Sequence, residues 1–376
     1  MAKPRVRLGR GLRVAKPDAV LWDYAPHTEA KHRILKRYLQ AWVPIMASQS
    51  RVLNIIDGFA GPGRYEGGDP GSPLIMLDAY LGHRDRQAMG PVKINYDFIE
   101  IDARRVVHLE GELAAIAIPG NVSVTVTRGA FDEVMDHWLS SVPKGRQLAP
   151  TFAFIDPFGY TGHTLNLSSR ILEFPRCEVL VYVPLPFIAR FIHDPAVEPA
   201  LNNLFGDDSW KAASEHRGKA AERVLHDIFL AKLEAAAGLA RSFQIAAGDR
   251  GWSGSTLFFG TGNLVGLRKF KEAMWAVDPL GGLRFADSTN PHQMVVFDEP
   301  DFRELEAALH SRFGTDEFSV EDAENFVDLR TAFVATKHLR TKTLRPAEVA
   351  GRLTAFHPHK SLRRGTYPAG TLLRFT

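Results

Sequence analysis

One cysteine, Cys177, is all that the 376 residues contain. A lone thiol excludes an internal disulfide framework and any zinc or iron–sulfur site built from several cysteines of this chain. It suits a reducing compartment. Long apolar runs are missing too, since none approaches the roughly 18 residues of a membrane span. The first residues carry charge but no apolar segment, so they do not read as a secretory signal, and a cytoplasmic protein is expected. The histidines, among them His27, His32, His163 and His193, show no metal-ligand spacing, and no metal is expected. No internal repeat or low-complexity tract is visible.

Net charge is also small, +3, but it is unevenly placed. Lys3, Arg5, Arg7, Arg10, Arg13 and Lys16 precede the first acid. The last forty residues hold Lys337, Arg340, Lys342, Arg345, Arg352, Lys360, Arg363, Arg364 and Arg374 against one acid, Glu348. Basic ends on a near-neutral body point to a polyanionic partner, nucleic acid before others.

The length predicts two or three domains. Residues 1–20 read as a basic arm and 27–48 as an amphipathic helix, with Thr28 placed to cap it and Pro44 to kink or end it. Strands then alternate with single helices. Strands are expected over 51–57, 94–102, 121–127, 151–156 and 177–183, and helices over 72–81, 103–116, 131–142 and 166–174. That alternation predicts an α/β fold, a Rossmann-like parallel sheet with helices on both faces. Residues 186–245 read as a mostly helical insertion. The α/β pattern resumes with strand 255–261, helix 267–277 and strand 292–299, so the α/β domain is placed at 21–300. Residues 301–376 read as three short helices, the last over 336–353, and a glycine-turn hairpin over 361–376. That is the outline of a winged helix, with Lys337, Arg340, Lys342, Arg345, Lys360, Arg363 and Arg364 as candidate nucleic-acid contacts.

The stretch IIDGFAGPGRY, 55–65, concentrates the chemistry. A buried strand runs into Asp57 and then a loop with Gly58, Phe59, Gly61 and Gly63. Glycine lets a ligand pack against the backbone itself. No Gly-Lys-Ser/Thr follows, which excludes a P-loop, and G-x-x-G-x-G fits a dinucleotide fingerprint poorly. An adenosine bearing a charged amino acid, S-adenosylmethionine (SAM), remains, with Asp57 suited to its ammonium. The second strand ends in Glu100, where an acid accepts ribose hydroxyls in nucleoside-binding α/β folds. Asp102 reads as a cap of the next helix. The fourth strand ends FIDPFGY, placing Asp156, Pro157 and Phe158 at the same crevice. Amino-group methyltransferases use a similar Asp/Asn-Pro-Pro-aromatic motif. Its carboxylate and carbonyl hold the target amine while the ring stacks on a base, which is catalysis by positioning. Here the motif is one proline short.

The chain resembles the three-Cys-motif partner (TcmP) proteins of bacteria over nearly its whole length. The resemblance lies in HTEAKHRILKRYLQAW, IDGFAGPGRYEGGDPGSPL, FIEID, FAFIDPFGY, LEFPRCEVLV, KEAMWAVDP and RRGTYPAGTLLRF. It implies a class I SAM-dependent methyltransferase core and a partner protein of radical-SAM-like type carrying three cysteines. Ala130 stands where many methyltransferases place an acid against adenine, and Asp132, two residues on, is either its substitute or a helix cap. The leading expectation is a SAM-dependent methyltransferase acting on a base amino group of nucleic acid. The alternatives are a non-catalytic binding module on the same fold and a metal-dependent nuclease using Asp57, Glu100 and Asp156. The nuclease leaves the glycine loop unexplained.

Overall fold

The computed structural model describes residues 19–24, 26–247, 253–279, 282, 284–285 and 300–376. The first eighteen residues of the basic arm, the strand expected over 292–299 and most of the turn-rich run before it lie outside the described residues.

Helix α1 spans Pro26–Ala47. It starts at a proline, whose missing N–H costs nothing in a first turn, so Thr28 lies inside that turn and does not precede it. Pro44 does not end the helix, which runs three residues past it. The Gln40 carbonyl, which the residue 44 N–H would normally reach, is satisfied by His83 Nε2 at 3.1 Å. Burial of Ile34, Leu35, Tyr38, Leu39 and Trp42 seats the helix on the sheet.

The sheet has eight strands, β1 (Val52–Asp57), β2 (Lys93–Glu100), β3 (Val122–Arg128), β4 (Thr151–Ile155), β5 (Cys177–Val183), β6 (Leu239–Ala247), β7 (Ser253–Thr261) and the two-residue β8 (Arg284–Phe285), in the order β3-β2-β1-β4-β5-β7-β6-β8. Neighbours from β3 to β5 pair in parallel, whereas β7 runs antiparallel to both β5 and β6. This is the doubly wound nucleotide-binding order with one antiparallel strand inserted between the fifth and the sixth. The connecting helices are α2 (Ser72–Leu81), α3 (Ala103–Ala114), α4 (Phe131–Ser140) and α5 (Leu165–Leu172); α6 (Leu185–Phe191), α7 (Glu198–Phe205) and α8 (Lys219–Ala237) lie between β5 and β6, and α9 (Leu264–Val277) follows β7.

Successive side chains of a strand point to opposite faces, and the cores divide accordingly. Leu53, Ile55, Phe152 and Phe154 pack with α1, α2 and α9. Ile56, Ala153, Ile155 and Val181 pack with α4, α5 and α8. Strands buried on both faces read as continuous apolar runs, which is why β4 and β5 are plain in the sequence.

Residues 239–245, read as the end of the helical insertion, are strand β6 instead. The alanine-rich run before them is helix only as far as Gly238, whose φ of 87° stops it. Beyond it Phe243 and Ile245 are buried two apart on a strand period.

The C-terminal region contains α10 (Arg303–Phe313), β9 (Phe318–Ser319), α11 (Val320–Arg330), a π-helical segment Ala335–Leu344, α12 (Arg345–Val349), β10 (Leu353–Phe356) and β11 (Leu372–Phe375), with strand order β10-β11-β9. Pro346 sits in the first turn of α12. The expected hairpin is corrected: β11 pairs with β10, not with a strand inside 361–376. Tyr367 is pinned through its hydroxyl to Glu348 at 2.7 Å, and the Gly365 N–H donates to the same carboxylate at 2.8 Å. The glycines therefore shape a long loop, 357–371, and not a tight turn. Leu305, Leu309, Val327, Leu339 and Leu373 give this region its own core.

It is fastened to the sheet body through α9. Lys271 is fully buried and donates to the carbonyls of Val327 and Asp328 at 3.0 and 3.1 Å. Arg268 pairs with the buried Asp328, whose other oxygen accepts from the Ala335 N–H at 3.0 Å. Trp275 Nε1 donates to the Ala332 carbonyl at 2.8 Å.

Candidate functional site

The strand order reverses between β1 and β4, so ligands of such a sheet enter at the carboxyl ends of these two strands. There the chain builds a cleft of about 450 Å³. The loop after β1 forms one wall, including Phe59, Gly61 and Gly63. Asp156, Pro157 and Phe158 form another, with Lys31, Tyr182 and Phe187 beside them.

The glycine loop is held from behind. The Gly58 N–H donates to the Phe154 carbonyl and the Ala60 N–H to the Ile99 carbonyl, both at 2.9 Å. Gly58 itself faces the core: a Cβ there would lie 2.5 Å from the Phe131 ring. Its smallness serves packing of α4. Gly61 has φ +63°, the left-handed region, and its N–H donates to Glu100 Oε2 at 3.0 Å.

The sequence-derived cofactor residues divide. Phe59, Gly61 and Gly63 line the cleft, whereas Asp57, Gly58, Glu100 and Asp132 do not. Asp57 is fully buried; its Oδ1 accepts from the Phe59 N–H at 3.1 Å, and its Oδ2 is buried with no hydrogen-bond partner among the described residues. Burial pushes the carboxyl up to about 7, with the charges of Asp156 and Glu100 adding to it. The Ser72 hydroxyl, outside good hydrogen-bond geometry, eases it down. Glu100 lies beneath the loop with both oxygens engaged, one by Gly61 and the other by the Asp102 N–H at 2.8 Å. Asp102 caps α3 by accepting from the Arg104 N–H. Asp132 sits in the first turn of α4 and accepts from the Glu133 N–H.

At the acceptor wall, Asp156 pairs with Lys31 of α1 at 2.5 Å. The ammonium also lies 4.0 Å from the centre of the Tyr182 ring. Burial pulls Lys31 down, but Asp156, Tyr182 and Asp57 outweigh it, so its pKa lies above the ordinary lysine value. Lys31 is thus an ammonium and no proton acceptor at neutral pH. The neighbouring His32 is held neutral, its pKa lowered to about 3 by burial and by Lys31. Its Nδ1 meets the Tyr24 hydroxyl at 3.2 Å.

Lys31 is absent from the sequence-derived set, yet a signal was present. Lys31, Ile34, Leu35 and Tyr38 fall three and four apart, so a charge sits on the buried stripe of α1. Trp22 and Arg105 were missed as well. The Trp22 and Phe158 rings meet edge to face with centroids 5.0 Å apart, and the buried Arg105 guanidinium lies 4.9 Å from the Trp22 ring.

The seven basic residues expected as nucleic-acid contacts are all exposed. Two are partly neutralised, Arg340 by Glu324 at 2.7 Å and Lys337 by Glu272 at 3.8 Å. Arg345 packs against Gly365, beside Arg363 and Arg364, linking the helical and loop sets. Among the described residues no group of three or more His, Cys, Asp or Glu side chains is placed to hold a metal ion, and no helix is long and apolar enough to cross a membrane.

No protein-family model and no curated protein sequence matches this chain. Solved structures with a similar course of chain include Trm1 from Pyrococcus horikoshii with S-adenosyl-L-methionine, at 13% identity and a TM-score of 0.36, covering 69% of this chain and 60% of that one. Human methyltransferase-like protein 13 with SAH follows at 12% and 0.35, covering 65% and 90%. The O-methyltransferase from Bacillus cereus with SAH stands at 13% and 0.33, covering 64% and 83%. The chain thus spans about three fifths of the Trm1 structure. At these identities and scores the function has to be read from this chain's own residues.

Proposed function

We propose that this chain is a class I SAM-dependent methyltransferase that modifies an amino group of a nucleic-acid base. The observation that carries the reading is the cleft at the strand-order reversal, where the glycine loop after β1 faces Asp156-Pro157-Phe158 across one cavity. Residues fitting the cofactor are on hand: a glycine loop that lines the cleft, and below it two buried acids, one with an unpartnered oxygen. When bound, the cofactor would supply an electrophilic methyl group, its carbon–sulfur bond breaking to leave the neutral thioether S-adenosylhomocysteine. Asp156, paired with Lys31, accepts one N–H of the incoming amine, and the Pro157 carbonyl accepts the other. These bonds aim the nitrogen lone pair and localise the positive charge that develops on nitrogen as its bond to carbon forms. Phe158 gives the base a face to stack on, which requires the base to leave its own stack. The amine then loses its proton to solvent through the open side of the cleft.

In this reading residues 301–376 form a winged-helix-like module whose exposed cations hold phosphates. The resemblance to three-Cys-motif partner proteins adds a radical-SAM-like protein with three cysteines as a further partner. One observation favours a second reading, a non-catalytic binding module: Glu100 and Asp57 are sealed off from the cleft. Calorimetric titration with SAM separates the two. Binding with a micromolar to sub-millimolar constant supports the enzyme, and no heat at millimolar SAM supports the module.

A further inference from the structure

We propose that residues 19–24 are a strap that closes the nucleoside half of the cofactor cleft, so that cofactor binding requires the strap to lift. The inference rests on the cofactor reading above and gives that site its regulation.

Several contacts hold the strap, among them the Tyr24 hydroxyl on His32 Nδ1 at 3.2 Å and the Tyr24 ring against Tyr65 at 4.8 Å between centroids. The Trp22 carbonyl accepts from the Glu66 N–H at 3.0 Å. The Ala19 carbonyl accepts from Arg105 Nη2 at 3.4 Å. The Trp22 ring meets Tyr65 and Phe158 edge-on, at 5.8 and 5.0 Å between centroids. Its Cη2 reaches to 3.4 Å of where a Cβ on Gly61 would sit. An aromatic ring therefore lies on the bare backbone that the glycine loop offers.

Arg105 couples this cover to the acid below. Its guanidinium lies under Trp22 at 4.9 Å and beside Phe158 at 5.4 Å, and its Nη1 is 4.0 Å from Glu100 Oε1. Arg105 and Glu100 are 1% and 5% exposed. Trp22, Arg105 and Glu100 thus form one stack behind the glycine loop, with the strap as its outermost layer. The cation–π and edge-to-face contacts are each modest, so the closed state is favoured without being locked. A ligand that binds only the open state has its apparent affinity reduced by the fraction open.

The test is calorimetric titration of S-adenosylhomocysteine into the full chain and into Trp22→Ala. If the closed state holds about nine molecules in ten, the variant binds about tenfold more tightly. Binding by the variant alone likewise supports the strap. Equal or weaker binding by the variant refutes it and makes Trp22 a wall of the site. Binding by neither protein refutes the cofactor reading and the strap together. Chymotrypsin cleavage of the unmutated chain after Trp22 is an independent readout. Saturating S-adenosylhomocysteine should accelerate it several-fold, and protection would refute the strap.

Discussion

Lys31→Met is the most informative single change, because it leaves a carboxylate behind. Asp156 and Lys31 are paired at 2.5 Å with side chains 18% and 8% exposed. Removing one partner of a buried pair costs about 3–5 kcal/mol, mostly for the charge left uncompensated. Asp156 retains some solvent, which screens it, so about 2–4 kcal/mol is expected at pH 8. In the parent the pair also makes stability depend on pH in the alkaline range. The raised Lys31 pKa contributes stability that is complete below the ordinary lysine value of 10.5 and is lost as pH rises through the folded value. Urea unfolding of the parent, Lys31→Met, Asp156→Asn and the double variant at pH 8 measures the pair, and repeating the parent and Lys31→Met above pH 10.5 measures the alkaline loss. The double variant should be more stable than the sum of the single losses implies. A Lys31→Met deficit below about 0.5 kcal/mol, or strict additivity, would refute the buried-pair account.

Three further outcomes follow from other parts of the fold. Gly58→Ala puts a methyl 2.5 Å from the Phe131 ring, and thermal unfolding should show about 1–3 kcal/mol of overpacking. Burial lowers Lys271 to about 7; the unfolded chain therefore binds more protons between that value and the ordinary lysine range, stability should rise with pH across that window, and Lys271→Met should flatten the slope. Charge reversal of Arg363 and Arg364 together should weaken duplex DNA or RNA binding and reduce the log–log salt slope by about 1.8, at about 0.9 per lost phosphate contact; an unchanged slope would assign the basic loop another partner.

How far the sequence reaches differs from element to element. β1, β4 and β5 are legible because strands buried on both faces are runs of apolar residues bounded by turn signals. The crevice is legible because acids and glycines gather at strand ends. β6 is not, because its period-two pattern begins directly after an alanine-rich helix and only Gly238 marks the change. The 353–356 strand is hidden in the same way behind the preceding helical run, and its partner lies well beyond it, across a loop whose glycines imitate a tight turn. At the site, residue types reveal candidate acids but not their accessibility. Glu100 and Asp57 read as cofactor anchors, and the fold puts a loop over one and a full shell around the other. Lys31 pairs across 125 positions with Asp156, a contact that no local pattern carries.

The central claim is that Asp156 acts on an acceptor held in a SAM-dependent cleft. The direct measurement is transfer of tritium from methyl-labelled SAM to mixed RNA and DNA, by the parent and by Asp156→Ala, with S-adenosylhomocysteine affinity and far-ultraviolet circular dichroism recorded on both. The account expects label in nucleic acid with the parent, a loss of about a hundredfold or more in the variant, and cofactor affinity within about twofold. A folded Asp156→Ala protein that transfers label as well as the parent, or a parent that binds the cofactor and labels no nucleic acid, would contradict it.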